Sequence, residues 1–178
     1  LDKVIIRPIP DETLRTAGLK SGDLQLVDIV PPQSLAQIKT DPSVNVADIP
    51  GLGFNAFSIN NTKPPFNDMK VRQALLYSVD KDVVNKVAYF NTGSPAFGPV
   101  PPPITWAFDP NFKPYKRDVA KAKQLLAEAG HPDGVPFAIT VVASPLQLRV
   151  AQIIQAQAQE AGFKVSVRQV DATSLISV

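Results

Sequence analysis

Residues 137–168 read FAITVVASPLQLRVAQIIQAQAQEAGFKVSVR, and this stretch decides the fold class. Phe137 to Val142 is apolar on both faces, as a central strand covered on both sides would be. Ser144 stands where a helix cap is needed. Pro145 follows at the first helical position, where its missing N–H costs nothing. Leu146, Val150, Ile153, Ile154 and Ala161 then fall on one helical face. Gly162 stops the helix, and Phe163, Val165 and Val167 alternate with Lys164, Ser166 and Arg168 as a half-exposed strand. Strand, helix and strand in that order predict a right-handed crossover between parallel strands. The chain is expected to be α/β.

Working outward, residues 57–86 read FSINNTKPPFNDMKVRQALLYSVDKDVVNK. A short apolar strand (Phe57, Ile59) runs into a polar turn, and Pro64-Pro65 forbid an immediate helix. Asn67 or Asp68 can cap a helix with apolar positions at Val71, Ala74, Leu75 and Val79. Asp80 restarts the pattern before Val83, Val84 and Val87. A further helix runs from Asp118 to Ala129, with Val119, Ala122, Leu125, Leu126 and Ala129 as its stripe, Gly130 as its stop and Pro132 beyond. Between them, Asn91 to Tyr115 is a long irregular segment holding Phe97, Pro99, Pro101-Pro102-Pro103, Trp106 and Phe108. Loops this long are usually functional or disordered, and one this rich in aromatics and proline is expected to be packed rather than floppy.

Toward the N-terminus, a strand is expected over residues 3–9. A helix follows from Asp11-Glu12-Thr13 through Leu19, closed by Ser21-Gly22. Leu24, Leu26 and Ile29 suggest a short buried strand, Ser34–Lys39 a weak helix, and residues 44–49 and 54–59 two more strands about a Gly51-Leu52-Gly53 joint.

Composition narrows the function. The 178 residues carry a net charge of +2, with no tract that pairs Lys/Arg clusters with aromatics as a nucleic-acid surface would. No apolar run approaches the ~18–20 residues of a membrane span. There is no cysteine, so thiolate and disulfide chemistry are excluded. Neither a signal peptide before Leu1-Asp2-Lys3 nor a finished element after Asp171-Ala172-Thr173-Ser174-Leu175 can be read, and a fragment of a longer protein is expected.

Taken as letters, N-x-x-x-P-P-F-x-D-x-x-V-R-Q-A-L-x-Y-x-x-D-K over residues 60–81 resembles the signature of the family 5 extracellular solute-binding proteins, the peptide and dipeptide receptors of bacterial ABC importers. Ala120-Lys121-Ala122-Lys123-Gln124-Leu125-Leu126-Ala127-Glu128-Ala129-Gly130 resembles the family's A-K-x-L-L-x-E-A-G helix, and Gly98-Pro99 with Pro101-Pro102 its G-P-x-P-P loop. Asp11, Arg15, Leu19 and Gly22 resemble a further D-x-x-x-R-x-x-x-L-x-x-G element. The resemblance implies a periplasmic-binding-protein fold of the large, peptide-binding type II class, with a mixed sheet of parallel strand-helix-strand units flanked by helices. It implies residues 1–55 as the end of a first lobe and 56–178 as most of a second, crossing a hinge near residues 52–58. It further implies a periplasmic or extracellular, membrane-anchored monomer without cofactor. Such a receptor takes oligopeptides or dipeptides in an inter-lobe cleft and hands them to ABC permease subunits, touching the membrane only through a lipid anchor or that permease. Relatives of the fold also bind nickel complexes, haem, opines and oligosaccharides, and an α/β sensor or enzyme domain is the reading from another class. Two departures bear on the ligand. The acidic partner of a peptide's amino group belongs to a W-x-x-D segment beyond residue 178. Asp171 is followed by Ala172 where many relatives carry Trp.

Candidate side chains divide into bland and functional readings. His131, between a helix-ending Gly130 and Pro132, lacks the partners of a catalytic or metal site and is expected to be solvent-facing. Asp80 and Asp118 stand at helix caps rather than in acid–base pairs with Asp82 and Asp109, and Gly51-x-Gly53 lacks the rest of a phosphate loop. No catalytic or metal-binding residue is expected. Arg72 is expected to pair with Asp68 at i,i+4. Phe97 and Trp106 either plug a lobe surface or wall a ligand cleft, joined by Phe57 and Ser58 past the hinge and by Pro99. Ser144 is a helix cap first. It also lies at the carboxyl end of a strand, where open α/β sheets bind ligands.

Overall fold

The computed structural model describes residues 2–49, 51–96, 98–112 and 114–176. They fall into two compact units, divided after Ile49.

In the first unit, α1 (Glu12–Ser21) is capped by Asp11, whose Oδ1 accepts from the Leu14 N–H at 2.9 Å. It ends at Gly22, whose φ of 82° is the left-handed turn that glycine takes without penalty. Gln33 at the start of α2 (Pro32–Lys39) donates to Glu12 at 2.9 Å, and Pro31 and Ile38 are buried. The strands expected over residues 3–9, 24–29 and 44–49 do not form. A strand is stable only when a neighbour takes up its N–H and C=O groups. No strand among the described residues pairs with them, and Val4, Ile5, Ile6, Leu26, Ile29 and Ile49 are exposed.

The second unit holds α3 (Met69–Ser78), α4 (Lys81–Ala88), α5 (Val119–Glu128), β1 (Val135–Val142), α6 (Pro145–Glu160), β2 (Phe163–Val170) and α7 (Ala172–Ile176). The expected crossover is present: β1 and β2 are parallel, in register from Val135 opposite Phe163 to Val142 opposite Val170, and α6 connects them. The entry to the pair is tight. A Cβ on Gly134 (φ 96°) would collide with the carbonyl oxygen of Gly162, so only glycine fits. The segment 54–59 is extended but joins no sheet, for the same want of a partner.

One face of the pair carries the core. Val135, Ile139, Val141, Phe163 and Val165 pack with Val71 and Ala74 of α3, Ala122, Leu125 and Leu126 of α5, and Ala151 and Ala158 of α6. The alanines let the helices approach closely. Phe66, Phe137 and Phe163 stack edge to face at 5.1 and 5.5 Å, a geometry that adds about 0.5–1.5 kcal/mol per pair beyond area burial. The other face of β1 corrects the expectation of cover on both sides: Pro136 and Ala138 are exposed, and Thr140 and Val142 are half-buried.

The helix stops follow the sequence. At the end of α5 the Gly130 N–H donates to Ala127 O (3.0 Å) and the His131 N–H to Leu126 O (2.8 Å), the paired bonds of a Schellman cap. His131 takes part through its backbone, and its side chain is half-buried rather than solvent-facing. Arg72 departs from expectation as well. Its Nη1 donates to the carbonyls of Phe66 (2.7 Å) and Asn67 (3.1 Å), while Asp68 is occupied in capping α3 through the Lys70 N–H. Capping satisfies an orphan backbone donor, which takes the carboxylate away from the guanidinium.

Candidate ligand-binding surface

The segment after Ala96 was expected to be packed and is better described as latched. Between Ala96 and Pro114 it forms neither helix nor strand among the described residues, only short turns. The Ile104 N–H donates to Pro101 O (3.0 Å), and those of Ala107 and Phe108 to Ile104 O (3.0 and 2.9 Å). The turn so formed carries Trp106 outward with 89% of its surface exposed, while Phe108 is half-buried beneath.

Both ends of this excursion are fixed to one place, the joint between α3 and α4. At its start, Lys81 Nζ donates to Ala96 O at 2.7 Å. At its end, Arg117 Nε donates to Ser78 O (3.1 Å), Asp118 N–H donates to Tyr77 O (2.8 Å), and Tyr115 meets Tyr77 edge to face at 4.9 Å. Arg117 also pairs with Glu160 of α6. Ser78, buried, and Lys81 are three positions apart, so the mouth of the loop is closed on a single turn of chain. A concavity of about 650 Å³ lies at this end, lined by Tyr77, Phe112, Pro114, Tyr115 and Arg117 among others.

Helix α4 gathers the other candidate segments. At its N-terminus the Asp80 N–H donates to Oε1 of Gln157, a buried side chain of α6, at 2.9 Å. At its C-terminus Tyr89 Oη accepts from Asn55 Nδ2 (3.1 Å), which ties in the extended segment carrying Phe57 and Ser58. Arg149, near the start of α6, donates to Ala88 O (3.4 Å) and lies 5.6 Å from the Phe90 ring centre. Phe90 and Asn91 both have positive φ (53° and 59°), a conformation that bulky residues adopt rarely and only where the surroundings impose it.

Of the residues singled out by sequence, Phe57 is 42% exposed, and Ser58 and Pro99 are exposed. Ser144 is half-buried at the end of β1, but its hydroxyl makes no cap; its N–H donates to Val142 O and its carbonyl accepts from Leu148. Phe97 lies outside the described residues. No hydrogen bond or ring contact among the described residues joins Phe57, Ser58, Pro99, Trp106 and Ser144 to one another; the Phe57 segment, the Trp106 loop and α6 each reach α4 or its flanking residues. The anchors Lys81, Arg117, Gln157 and Tyr89 were not legible in advance, because each meets a partner distant in sequence: a backbone group for the first three, the Asn55 side chain for Tyr89. Lys81 alone carried a signal, a cation at the first position of a helix.

Electrostatics single out the same residue. Partial burial pushes the Lys81 ammonium below the usual lysine range. Elsewhere the shifts have local causes: a hydrogen bond from Lys70 holds the exposed Glu128 carboxyl below the ordinary range, and Ser43 and Ser174 do the same for Asp41 and Asp171.

The described residues thus combine a parallel strand-helix-strand unit with a loop, hung from the joint of two helices, that carries an exposed Trp106. Residues 1–177 match the family of bacterial extracellular solute-binding proteins, family 5, middle region, and the chain belongs to that family. It is 39% identical over 171 residues to heme-binding protein A of Haemophilus influenzae, covering 93% of this chain and 31% of that protein. It is 34% identical over 174 residues to the dipeptide-binding protein of Escherichia coli, covering 94% and 32%. Among solved structures, the periplasmic binding protein DppA of Helicobacter pylori in complex with the peptide STSA superposes with a TM-score of 0.88 at 29% identity, covering 96% of this chain and 33% of that one. The chain thus spans about one third of the length of the relatives it matches.

Proposed function

We propose that these residues are the middle part of the substrate-binding receptor of an ABC-type importer, capturing dipeptides or oligopeptides in a cleft between two lobes. Residues 1–55 would end the first lobe and 56–178 form most of the second. The receptor would act outside the cytoplasm, periplasmic or anchored at the extracellular face, as a monomer that docks on permease subunits. It would perform no chemistry on its ligand and need no cofactor or metal. Family membership across residues 1–177 supports the class, and the relatives named for dipeptides and the peptide-bound neighbour support the ligand.

Within the molecule one observation carries the site: Trp106, held outward on a turn whose ends are latched to the fold. A large rigid aromatic supplies contact area with few torsions to freeze. Phe57, Ser58, Phe97 and Pro99 are assigned to the same wall, with Ser144 at the strand end. Haem is the second reading, favoured by the 39% identity to a heme-binding protein, and exposed aromatics suit a flat macrocycle as well as peptide side chains.

The test is Trp106 fluorescence in the full-length receptor, with Trp106→Phe as the blank. Titration with the tetrapeptide Ser-Thr-Ser-Ala or with haemin should change the Trp106 contribution at saturation. A ligand that binds by calorimetry and leaves that contribution untouched removes Trp106 from the site.

A further inference from the structure

We propose that Lys81 is a positioning residue that sets where the Trp106 loop stands; its importance for ligand capture rests on the reading above, but the latch itself does not.

Lys81 occupies the first helical position of α4, directly after the capping Asp80. The N-terminus of a helix carries partial positive charge, and acidic residues are favoured there, as Asp82 is. A cation at that end is disfavoured, and partial burial disfavours it again. Both effects disfavour a cation at this position, and a residue that breaks a local rule calls for a compensating role. The ammonium donates to Ala96 O at 2.7 Å, the last described residue before the excursion, and a charged donor to a carbonyl is stronger than a neutral one.

The geometry shows why that bond matters. From Ala96 to Pro114 no helix or strand among the described residues fixes the path. The far end is held several times over, by Tyr115 on Tyr77, Arg117 on Ser78 and Glu160, and Asp118 on Tyr77. A loop held firmly at one end swings about it. Holding the other end within three residues of the first closes the mouth and narrows the range over which the turn at 104–108 can stand. Arg117 cannot be removed without disturbing α3 and α6, whereas Lys81 reaches from the helix end to the loop.

The experiment uses the full-length protein with Lys81→Met, which keeps the stem and deletes the donor, and Lys81→Arg, which keeps a cation of similar reach. Hydrogen exchange is followed at the amides of Ile104, Ala107 and Phe108, which donate within the loop, and at those of α3 and α5. Lys81→Met should speed loop exchange about tenfold, the size of one charge-assisted bond, leave α3 and α5 unchanged, and be rescued by Lys81→Arg. Affinity for whichever of Ser-Thr-Ser-Ala and haemin the wild type binds should fall in parallel, by about three- to tenfold, and recover with arginine. Unchanged loop exchange in Lys81→Met overturns the proposal. So does an equal acceleration in loop, α3 and α5, which would make Lys81 a residue of general stability. If neither probe binds the wild type, the ligand assignment fails, while loop exchange still decides the latch.

Discussion

Residues 8–23 (PIPDETLRTAGLKSGD) and 65–80 (PFNDMKVRQALLYSVD) are two versions of one device in two settings. At a constant offset they share Pro8/Pro65, Asp11/Asp68, Arg15/Arg72, Ala17/Ala74, Leu19/Leu76, Ser21/Ser78 and Asp23/Asp80. In both, an Asp caps a ten-residue helix, α1 or α3. In both, the Arg four positions on reaches back over the cap to two carbonyls. Arg15 Nη1 donates to Ile9 O (2.6 Å) and Pro10 O (2.9 Å), Arg72 Nη1 to Phe66 O (2.7 Å) and Asn67 O (3.1 Å). The settings differ. α1 buries no residue, and Leu14 is 62% exposed; its counterpart Val71 is fully buried, as are Ala74 and Ser78. The first clamp is also less complete, since Arg15 Nε is buried without a hydrogen-bond partner. Matching letters produce the same local hydrogen bonds and leave undecided whether the helix belongs to a core. Burial, not capping, is where the two part.

Hydrogen exchange on this chain should show the largest contrast: amides of α1 exchanging about a thousandfold faster than those of α3, because few buried contacts resist their opening. Comparable protection would mean that the first unit is held by something beyond its described contacts.

Next in size is a matched pair of substitutions. Ala74→Leu should overpack the α3–α5 interface and cost ~1–3 kcal/mol, whereas Ala17→Leu, on an exposed position, should stay within ~0.5 kcal/mol. Denaturant midpoints read both, and equal costs would erase the difference in burial.

The clamps themselves come third. Lysine has donors enough for two carbonyls, but its ammonium sits on a flexible stem and lacks the preorganised planar head of the guanidinium. Arg72→Lys should cost about 1 kcal/mol in global stability. Arg15→Lys should leave the global midpoint unchanged and show only as faster exchange at the start of α1.

The smallest effect is the pH dependence of one ion pair in the second unit. Lys70 on α3 and Glu128 on α5 pair at 3.0 Å, and the Glu128 carboxyl is held below its ordinary range chiefly by that hydrogen bond. A carboxylate with a lowered folded pKa contributes stability above its unfolded pKa and loses it as pH falls through the folded value. Glu128→Gln should thus lower the urea midpoint slightly at pH 7 and converge with the wild type as acid protonates the wild-type carboxyl. A constant gap across that range would mean that the pair is not what differs.

Much of the second unit was legible in advance. The strand-helix-strand order at 135–170, the caps Asp68, Asp80 and Asp118, and the stops Gly130 and Gly162 are local events, settled by neighbours within a few residues. The family signature at 60–81 is equally local, which is why membership could be read from letters. Pairing was not legible. Residues 3–9, 24–29, 44–49 and 54–59 have strand-like composition and no strand partner, and composition cannot supply one. Of the candidate site, the exposed Trp106 was named from sequence as a choice between plug and wall, and Ser144 was assigned a capping bond that its hydroxyl does not make.

By itself, then, the sequence determined helix limits, the α/β order and the family, because caps, periodicity and glycine stops act over one or two turns. Only the tertiary structure decided that Arg72 serves carbonyls rather than Asp68, and that one of two similar helices is core and the other exposed. The same holds for the loop of Trp106, hung from the α3–α4 joint by Lys81 and Arg117. Each of those outcomes depends on which distant backbone group or apolar face comes within reach. That is fixed by packing across tens of residues, and no local pattern encodes it.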